Sequence, residues 1–242
     1  MPKHVFFDLD KTLTRARSPM ADVHEELFEH LCRTVDVVVV TGGEEAQIRT
    51  QIPLEPKGHY YMLSQQGNYA VGKDGTLLWH ESISPEQEAA VRAFVEVLKD
   101  DLKISVKDEN DLFENRGSQL AYSVLGFHER VEKKYAYDPG DSKRQALLTR
   151  HADELKELKK IGIEAMPAGT TTIDFILAGK HKGSNIARLI EHEGWNKDEC
   201  IYIGDALFKG GNDESVIGVI ATHPIKDPDE TFDFIETNLL SS

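Results

Sequence analysis

Two short, continuous apolar runs constrain the fold of this chain more than any other feature. Residues 5–10 read VFFDLD, and residues 36–43 read DVVVVTGG, a stretch rich in β-branched residues that ends in turn formers. Runs of this kind are typical of strands buried on both faces of a parallel sheet. The segment 21–34 between them predicts a helix, because its apolar residues recur at helical spacing. These residues are Val23, Leu27, Leu31 and, one turn on, Val35. The chain therefore begins with a predicted βαβ unit.

The same pattern returns in the last quarter of the chain. An amphipathic helix is predicted from Lys182 to Gly194, followed by a third buried strand over residues 200–205. A fourth strand is predicted over residues 216–222, and a closing helix over residues 231–240. Strands alternating with helices in this way predict a doubly wound, Rossmann-like α/β core with a parallel sheet.

The middle of the chain follows a different pattern. A helix is predicted to start at Pro85, and a hairpin is predicted around Gly117 and Ser118. A long charged helix over about 141–160 and a second hairpin follow. Helix, hairpin, helix, hairpin indicates an antiparallel sheet with helices on one face, and we predict an inserted α+β cap domain. The predicted boundaries are 1–82 for the first part of the core, 83–178 for the cap and 179–242 for the second part of the core.

Charge and cysteine content exclude several functional classes. The formal net charge is −14, from 42 acidic and 28 basic residues, which argues against broad binding to nucleic acid or to an anionic membrane surface. The two cysteines, Cys32 and Cys200, are far apart and form no CxxC pattern, so neither a zinc site nor a disulfide framework is predicted. The sequence carries no leader pattern and no apolar run long enough to cross a bilayer, so we expect a cytoplasmic protein.

Polar residues follow each predicted core strand, where ligands of open parallel sheets bind. They are Asp8, Asp10 and Thr12 after the first strand, Thr41, Gly42 and Gly43 after the second, and Asp205, Asn212 and Asp213 after the third. In the sequence, Lys182 lies between the residues that follow the second strand and those that follow the third, at the start of a predicted helix. Several carboxylates at one sheet edge repel one another unless a cation joins them, and Mg²⁺ is the cation that suits oxygen ligands.

These residues resemble the motifs of the haloacid dehalogenase superfamily. DLDKTLT matches its DxDxT nucleophile motif, and VVVVTGG, the pair Lys182-Gly183 and GDALFKGGND follow in the order of its other three motifs. The resemblance implies that Asp8 attacks phosphorus and forms an aspartyl phosphate, and that Asp10 is the general acid and base. It also implies that Thr41 binds a phosphoryl oxygen and that Lys182 offsets the negative charge gathered at the site. The predicted metal-binding residues are Asp8, Asp10 through its backbone carbonyl, Asp205, Asn212 and Asp213.

Details of spacing resemble one branch of that superfamily, the eukaryotic-type phosphomannomutases. In GDALFKGGND, four residues and a Gly-Gly pair precede Asn-Asp, as in that family. The resemblance implies a substrate site formed by Arg17 and Gly42 in the core and by four residues in the cap, and it implies a homodimer through the caps. The four cap residues are Arg116, Arg130, Thr172 and Asp174. For the arginines, a role as ordinary solvated surface residues is the alternative.

The chain also departs from that family. Lys11 replaces the usual glycine within the DxDxT motif, His181 replaces an acidic residue before Lys182, and Phe127 replaces a further arginine. A mutase must hold a bisphosphorylated sugar at two phosphate sites, so a missing arginine favours a phosphatase. Our leading hypothesis is a Mg²⁺-dependent phosphatase that acts on a small phosphorylated sugar or related metabolite. The alternatives are a phosphomannomutase and a catalytically silent metal-binding scaffold.

Overall fold

The computed structural model describes residues 2–240. Its strands are β1 (His4–Asp8), β2 (Asp36–Val40), β3 (Tyr60–Ser64), β4 (Tyr69–Val71), β5 (Leu77–His80), β6 (Phe113–Asn115), β7 (Gln119–Ser123), β8 (Ile163–Ala168), β9 (Thr172–Leu177), β10 (Cys200–Gly204) and β11 (Ala221–Pro224). Its helices are α1 (Asp22–Thr34), α2 (Glu45–Gln51), α3 (Pro85–Leu102), α4 (Val131–Tyr137), α5 (Ser142–Arg150), α6 (Ala152–Lys160), α7 (Lys182–Glu193) and α8 (Pro228–Phe234).

The chain divides into two compact units, of which the second interrupts the first. The core unit consists of the residues up to Glu81 and those from Gly179 onward, and the inserted unit is Ser82–Ala178. Within the part of the chain that the structure covers, no helix combines the length and the apolar character that crossing a membrane requires.

The core unit contains a seven-stranded sheet in the order β11-β10-β1-β2-β3-β4-β5. The pairs from β11 to β3 are parallel, whereas β4 and β5 add two antiparallel strands at one edge. The predicted α/β fold with a parallel-dominated sheet is therefore confirmed. The antiparallel edge was not predicted.

Side chains alternate between the two faces of this sheet, because successive residues of a strand point in opposite directions. Val5 and Phe7 of β1 belong to an apolar cluster that also contains residues of α1, α2 and α8. Phe6 belongs to a second cluster that contains residues of α7. Helices therefore cover both faces, which explains why β1 and β2 read as continuous apolar runs.

Two details of the predicted core elements were wrong. Val23, predicted on the apolar face of α1, is 81% exposed, and the helix buries Phe28, Leu31 and Cys32 instead. The last strand is β11, several residues later than the predicted segment 216–222, because its pairing with β10 begins where Ala221 lies beside Ile201. Pairing with a neighbouring strand, rather than apolar content, decides where this strand lies.

The inserted unit contains a four-stranded antiparallel sheet in the order β6-β7-β9-β8. One face carries Leu120 and Tyr122 of β7 and Ile173 and Phe175 of β9, and these pack with residues of α3, α5 and α6. Helix α3 starts at a capping box in which the Ser84 hydroxyl accepts a hydrogen bond from the backbone of the third helical residue. The predicted hairpins and one-sided helical layer are present.

The charged segment predicted as one helix over about 141–160 forms two helices. Helix α5 ends at Arg150 and α6 begins at Ala152, with His151 between them in a non-helical conformation. Arg144 of α5 is buried, and its guanidinium donates to Asp138 at 2.9 Å and to the carbonyl of Thr172 at 2.8 Å. This arginine of the predicted charged helix is therefore buried and connects α5 to β9 within the inserted unit.

Candidate active site

The order of the strands locates the candidate site. From β1 the chain runs outward through β2 to β5, and it returns beyond the insertion as β10 on the other side of β1. The connections on the two sides of β1 thus leave in opposite directions, and ligands of such sheets bind beyond the carboxyl ends of strands at this switch point. Asp8 is the last residue of β1, and Asp205 follows β10 directly. The pairing of Phe7 with Ile203 places these two carboxylates at the same edge.

Lys182 joins two of the aspartates in a buried cluster. It is the first residue of α7, and its side chain has no contact with solvent. Its Nζ donates to Oδ1 of Asp8 at 2.5 Å and to Oδ1 of Asp213 at 2.6 Å. Both carboxylates are also buried. One ammonium therefore faces two carboxylates, and the cluster keeps an excess of negative charge when all three groups are ionised.

Tyr202 of β10 completes this cluster and was not predicted. Its hydroxyl donates to Oδ1 of Asp213 at 2.6 Å and lies 3.4 Å from Nζ of Lys182. Burial raises the pKa of Tyr202 well above its ordinary value, so the hydroxyl keeps its proton and acts as a donor. The backbone N–H of Ala206 donates to Oδ2 of Asp213. A hydroxyl-bearing residue within an otherwise apolar strand, three residues before Asp205, was the signal available in the sequence.

The carboxylates form a group that fits a divalent cation. Asp8, Asp205 and Asp213 each place an oxygen within 4.8 Å of the others. Among the described residues, Oδ2 of Asp8 is buried and has no hydrogen-bond partner. Burial raises the pKa of Asp8 to about 7 although the Lys182 ammonium opposes the rise, and burial together with Asp213 raises the pKa of Asp205. A hard cation held by these carboxylates would offset this repulsion. The role predicted for Asn212 stays a prediction.

Asp10 lies two residues beyond Asp8 but has different partners. Its carboxylate accepts hydrogen bonds from the side-chain amides of Gln47 at 2.8 Å and Gln51 at 3.1 Å, both in α2. The backbone N–H of Arg17 donates to the same carboxylate at 2.8 Å, while the Arg17 side chain is exposed. The two glutamines of α2 were not predicted as partners of Asp10. The two carboxylates of the DxD motif are thus held by different elements of the core unit.

Thr41 and Gly42 follow β2 at the same sheet edge. The Thr41 hydroxyl accepts a hydrogen bond from the N–H of Gly43 at 3.1 Å, and its carbonyl accepts one from Gln66 at 2.9 Å. Gln66 has a φ of +63°, and its side-chain amide packs on Gly42 so closely that a Cβ there would stand 2.8 Å from it. A side chain at position 42 would have to displace the Gln66 amide, and the roles predicted for Thr41 and Gly42 in binding substrate stay predictions.

Glycines allow the motif segments of the core unit to approach one another closely. A Cβ at Gly183 would stand 1.9 Å from the carbonyl oxygen of Ser215, and one at Gly204 would stand 2.4 Å from Oδ2 of Asp213. No side chain fits at either position without displacing the segment that carries Asp213. The glycine next to Lys182 and the glycine before Asp205 thus set the distances within the carboxylate cluster.

The predicted cap residues lie within the inserted unit. Thr172 and Asp174 of β9 alternate with Ile173 and Phe175, so they face away from the apolar cluster. Asp174 accepts a hydrogen bond from Gln119, and burial raises its pKa to about 6. The side chain of Arg116 donates twice to Glu114, and Arg130 is exposed immediately before α4. Their roles in binding substrate stay predictions.

The chain is similar to several known proteins. The family model of haloacid dehalogenase-like hydrolases matches residues 5–217. The chain is 26% identical over 223 residues to phosphomannomutase 2 of Dictyostelium discoideum, covering 90% of this chain and 86% of the relative. It is 25% identical over 245 residues to a phosphomannomutase of Schizosaccharomyces pombe, covering 94% of this chain and 90% of the relative. The structure of SMU.1108c from Streptococcus mutans is similar with a TM-score of 0.70 at 16% identity, and the match covers all of both chains.

Proposed function

Because this chain belongs to the haloacid dehalogenase-like hydrolase family, we propose that it is a Mg²⁺-dependent phosphatase acting on a small phosphorylated sugar or related metabolite. Family membership makes it an enzyme of phosphoester hydrolysis or phosphoryl transfer, as its motifs predicted. The observation that carries the proposal is the state of Asp8. One of its oxygens is held by Lys182. The other is buried, has no hydrogen-bond partner among residues 2–240, and belongs to a carboxylate that lies close to that of Asp205.

The first half of the proposed reaction transfers the phosphoryl group to Asp8. Its free Oδ2 forms a bond to phosphorus while the ester bond between phosphorus and the leaving oxygen breaks. Asp10 donates a proton to that oxygen, so the product leaves as an alcohol. The hydrogen bonds from Gln47 and Gln51 hold the Asp10 carboxyl group in one orientation, which is the positioning that general acid catalysis needs.

The second half returns the enzyme to its starting state. Asp10, now ionised, takes a proton from a water molecule, and the resulting hydroxide attacks phosphorus. The bond between phosphorus and Oδ2 of Asp8 breaks, and inorganic phosphate is released. The two carboxylates thus have different roles, because Asp8 forms the covalent bond and Asp10 transfers the proton. A scaffold without turnover has no use for this second carboxylate.

Positive charge at the site supports both steps. Asp8 and Asp205 would hold Mg²⁺, with Asp213 nearby, and the ion when bound supplies positive charge that stabilises the phosphoryl oxygens. Lys182 keeps Asp8 in place through the hydrogen bond to Oδ1 and leaves Oδ2 to react. Asp213 in turn holds Lys182, since its Oδ1 accepts from both Lys182 and Tyr202.

A phosphomannomutase is the second candidate function. The relatives described above carry that name and match over most of this chain. Two features of the inserted unit favour the phosphatase. Arg116, a predicted substrate-binding residue, forms an ion pair with Glu114 at 2.6 Å. Phe127, which replaces a further arginine of that family, lies against Arg116 with 5.7 Å between the guanidinium and the ring centroid. A weakened second phosphate site suits hydrolysis better than turnover of a bisphosphate.

A substrate panel with Mg²⁺ tests the proposal. Phosphate release and isomer formation are measured for mannose 1-phosphate, glucose 1-phosphate and other small phosphate monoesters. We expect phosphate release that falls at least about 10⁴-fold in Asp8→Asn, because the nucleophile is lost. Asp198→Asn, an exposed aspartate before β10, is the matched control and should match the wild type. Isomer formation that requires traces of sugar bisphosphate, without phosphate release, would show a mutase instead.

A further inference from the structure

The connection between β3 and β4 is a strained turn at the sheet edge that carries the candidate site. Gln65, Gln66 and Gly67 have φ values of +52°, +63° and +85°, so three successive residues lie in the left-handed region. Residues other than glycine adopt this region at a cost, and usually one at a time. Such strain persists only where the surrounding structure holds it, and it is concentrated at functional sites. The Gln65–Gly67 turn therefore points to a role in the reaction.

Hydrogen bonds hold this turn from two sides. On one side, its backbone N–H groups donate to the carbonyl of Gly43 at 2.7 Å and to that of Thr41 at 2.9 Å. On the other side, Nδ2 of Asn185, in α7, donates to the carbonyl of Gln66 at 2.9 Å. The turn thus links the backbone that follows β2 to helix α7, and both contacts keep the left-handed residues in place.

The backbone held by this turn lies next to both carboxylates of the DxD motif. Asp8 pairs across the sheet with the last residue of β2, so the segment 41–43 begins directly beyond the nucleophile. At the other end of that segment, a Cβ on Gly43 would stand 1.8 Å from Oε1 of Gln47. The amide of Gln47 donates to the second carboxylate, that of Asp10, at 2.8 Å. The segment 41–43 therefore runs between the two groups that carry out the proposed reaction.

The side chain of Gln66 adds a contact to the middle of this segment. Its amide occupies the space that a side chain at position 42 would fill, because a Cβ on Gly42 would stand 2.8 Å from Nε2 of Gln66 and 3.6 Å from its Cδ. A glycine has wide backbone freedom, so its conformation depends on the groups that pack against it. The Gln66 amide therefore limits the freedom of Gly42 by contact.

We propose that Gln66 is a positioning residue, whose side chain packs on Gly42 and keeps the segment 41–43 in the orientation that binds a phosphoryl oxygen. The inference rests on the phosphatase function proposed above and on the role predicted for Thr41. Donors that stabilise a transition state must be fixed before the reaction, and a displacement of about 1 Å can lower a rate about 100-fold. The strained backbone of the turn is what brings the Gln66 side chain onto Gly42 from the neighbouring strand.

Two substitutions at this position separate packing from strain. Gln66→Gly removes the side chain and relieves the left-handed conformation, whereas Gln66→Met keeps a side chain of similar length without the amide. KM and kcat for p-nitrophenyl phosphate are measured with saturating Mg²⁺, together with the unfolding midpoint. We expect Gln66→Gly to lower kcat about 10-fold with KM changed less than about 2-fold, at an unfolding midpoint equal to or above that of the wild type. Gln66→Met should keep both constants within about 2-fold of the wild type.

Lys103→Gly is the matched control for the relief of strain. Lys103 is also left-handed, with a φ of +50°, and it is exposed directly after α3 in the inserted unit. This variant should keep wild-type kinetics. Unchanged kcat in Gln66→Gly overturns the proposal, and so does a loss of activity that only follows a loss of stability. A higher KM in both Gln66 variants with unchanged kcat also overturns it, because the amide would then bind substrate directly.

Amide hydrogen exchange separates this proposal from the phosphatase function. The N–H of Thr41 donates to the carbonyl of Leu63, and the N–H of Gly43 donates to the Thr41 hydroxyl. We expect both groups to exchange about 10-fold faster in Gln66→Gly and at the wild-type rate in Gln66→Met. If the wild type hydrolyses no phosphate monoester, the proposed function fails, and the exchange rates still decide whether Gln66 holds the segment. If the wild type is active and the rates are unchanged in Gln66→Gly, only the role of Gln66 is wrong.

Discussion

The ammonium of Lys182 lies 2.5 Å from Oδ1 of Asp8, and both side chains are buried. The two residues are 174 positions apart in the chain, one at the end of β1 and the other at the start of α7. Because Asp213 shares the same ammonium, removal of the lysine would leave two buried carboxylates facing each other. This relationship couples the chemistry of the site to the stability of the core unit.

Lys182→Met should therefore destabilise the protein strongly. We expect the free energy of unfolding to fall by about 3–5 kcal/mol at pH 8, because breaking a buried ion pair leaves uncompensated charge. The loss should shrink at pH 5, below the pKa of about 7 of Asp8, because protonation of Asp8 removes one of the two facing charges. Urea unfolding at both pH values measures it. Lys180→Met, which removes a partly exposed lysine paired with Glu81, is the control and should cost less than about 1 kcal/mol. Equal losses in the two variants would contradict the buried pair.

Tyr202→Phe tests whether the unpredicted tyrosine positions Asp213 and Lys182. We expect kcat to fall about 3- to 10-fold with little change in KM, because the hydroxyl holds the partners of Asp8 and does not contact substrate. Tyr60→Phe is the matched control. Tyr60 is equally buried and is the first residue of β3, at the end of the strand opposite to the carboxylate cluster. Its hydroxyl donates to the carbonyl of Leu54 at 3.1 Å. A change in KM alone for Tyr202→Phe would show a different role.

Asp174 predicts a pH dependence of stability in the inserted unit. Burial raises its pKa from 3.8 to about 6, and its Oδ1 has no partner within the described part of the chain. The folded state therefore holds the proton more tightly than the unfolded state, so the contribution of Asp174 to stability is present below pH 3.8 and is lost as pH rises to about 6. Asp174→Asn should raise the free energy of unfolding by about 1–3 kcal/mol at pH 7 and change it little at pH 3.8.

Chemical denaturation of the Asp174→Asn variant at these two pH values checks the sign of this effect. Asp153→Asn is a control, because that aspartate is exposed on α6 and pairs with Lys156 at the surface. A variant that is less stable than the wild type at pH 7 would show that the ionised carboxylate is a stabilising group in the folded protein. The prediction of a buried, destabilising carboxylate would then be wrong.

The sequence predicted those parts of the fold that local patterns determine. Continuous apolar runs located β1, β2 and β10, and Pro85 marked the start of α3, because burial on two faces and helix initiation both act within a few residues. It missed the break at His151, since residues on both sides of it favour a helix. It also misplaced β11, whose position depends on pairing with a strand formed elsewhere.

The residues of the candidate site were likewise predicted only in part. Motif spacing by itself singled out Asp8, Asp10, Thr41, Lys182 and Asp205, because the residues after each parallel strand must meet at one sheet edge. Only the tertiary structure decided which groups contact them. Tyr202 contacts Asp213 across 11 residues and Gln51 contacts Asp10 across 41, and both contacts depend on side-chain directions set by packing. The sequence alone determined the chemistry available at the sheet edge, and the tertiary structure determined its charge balance, because burial and distance set how strongly each ionised group acts on the next.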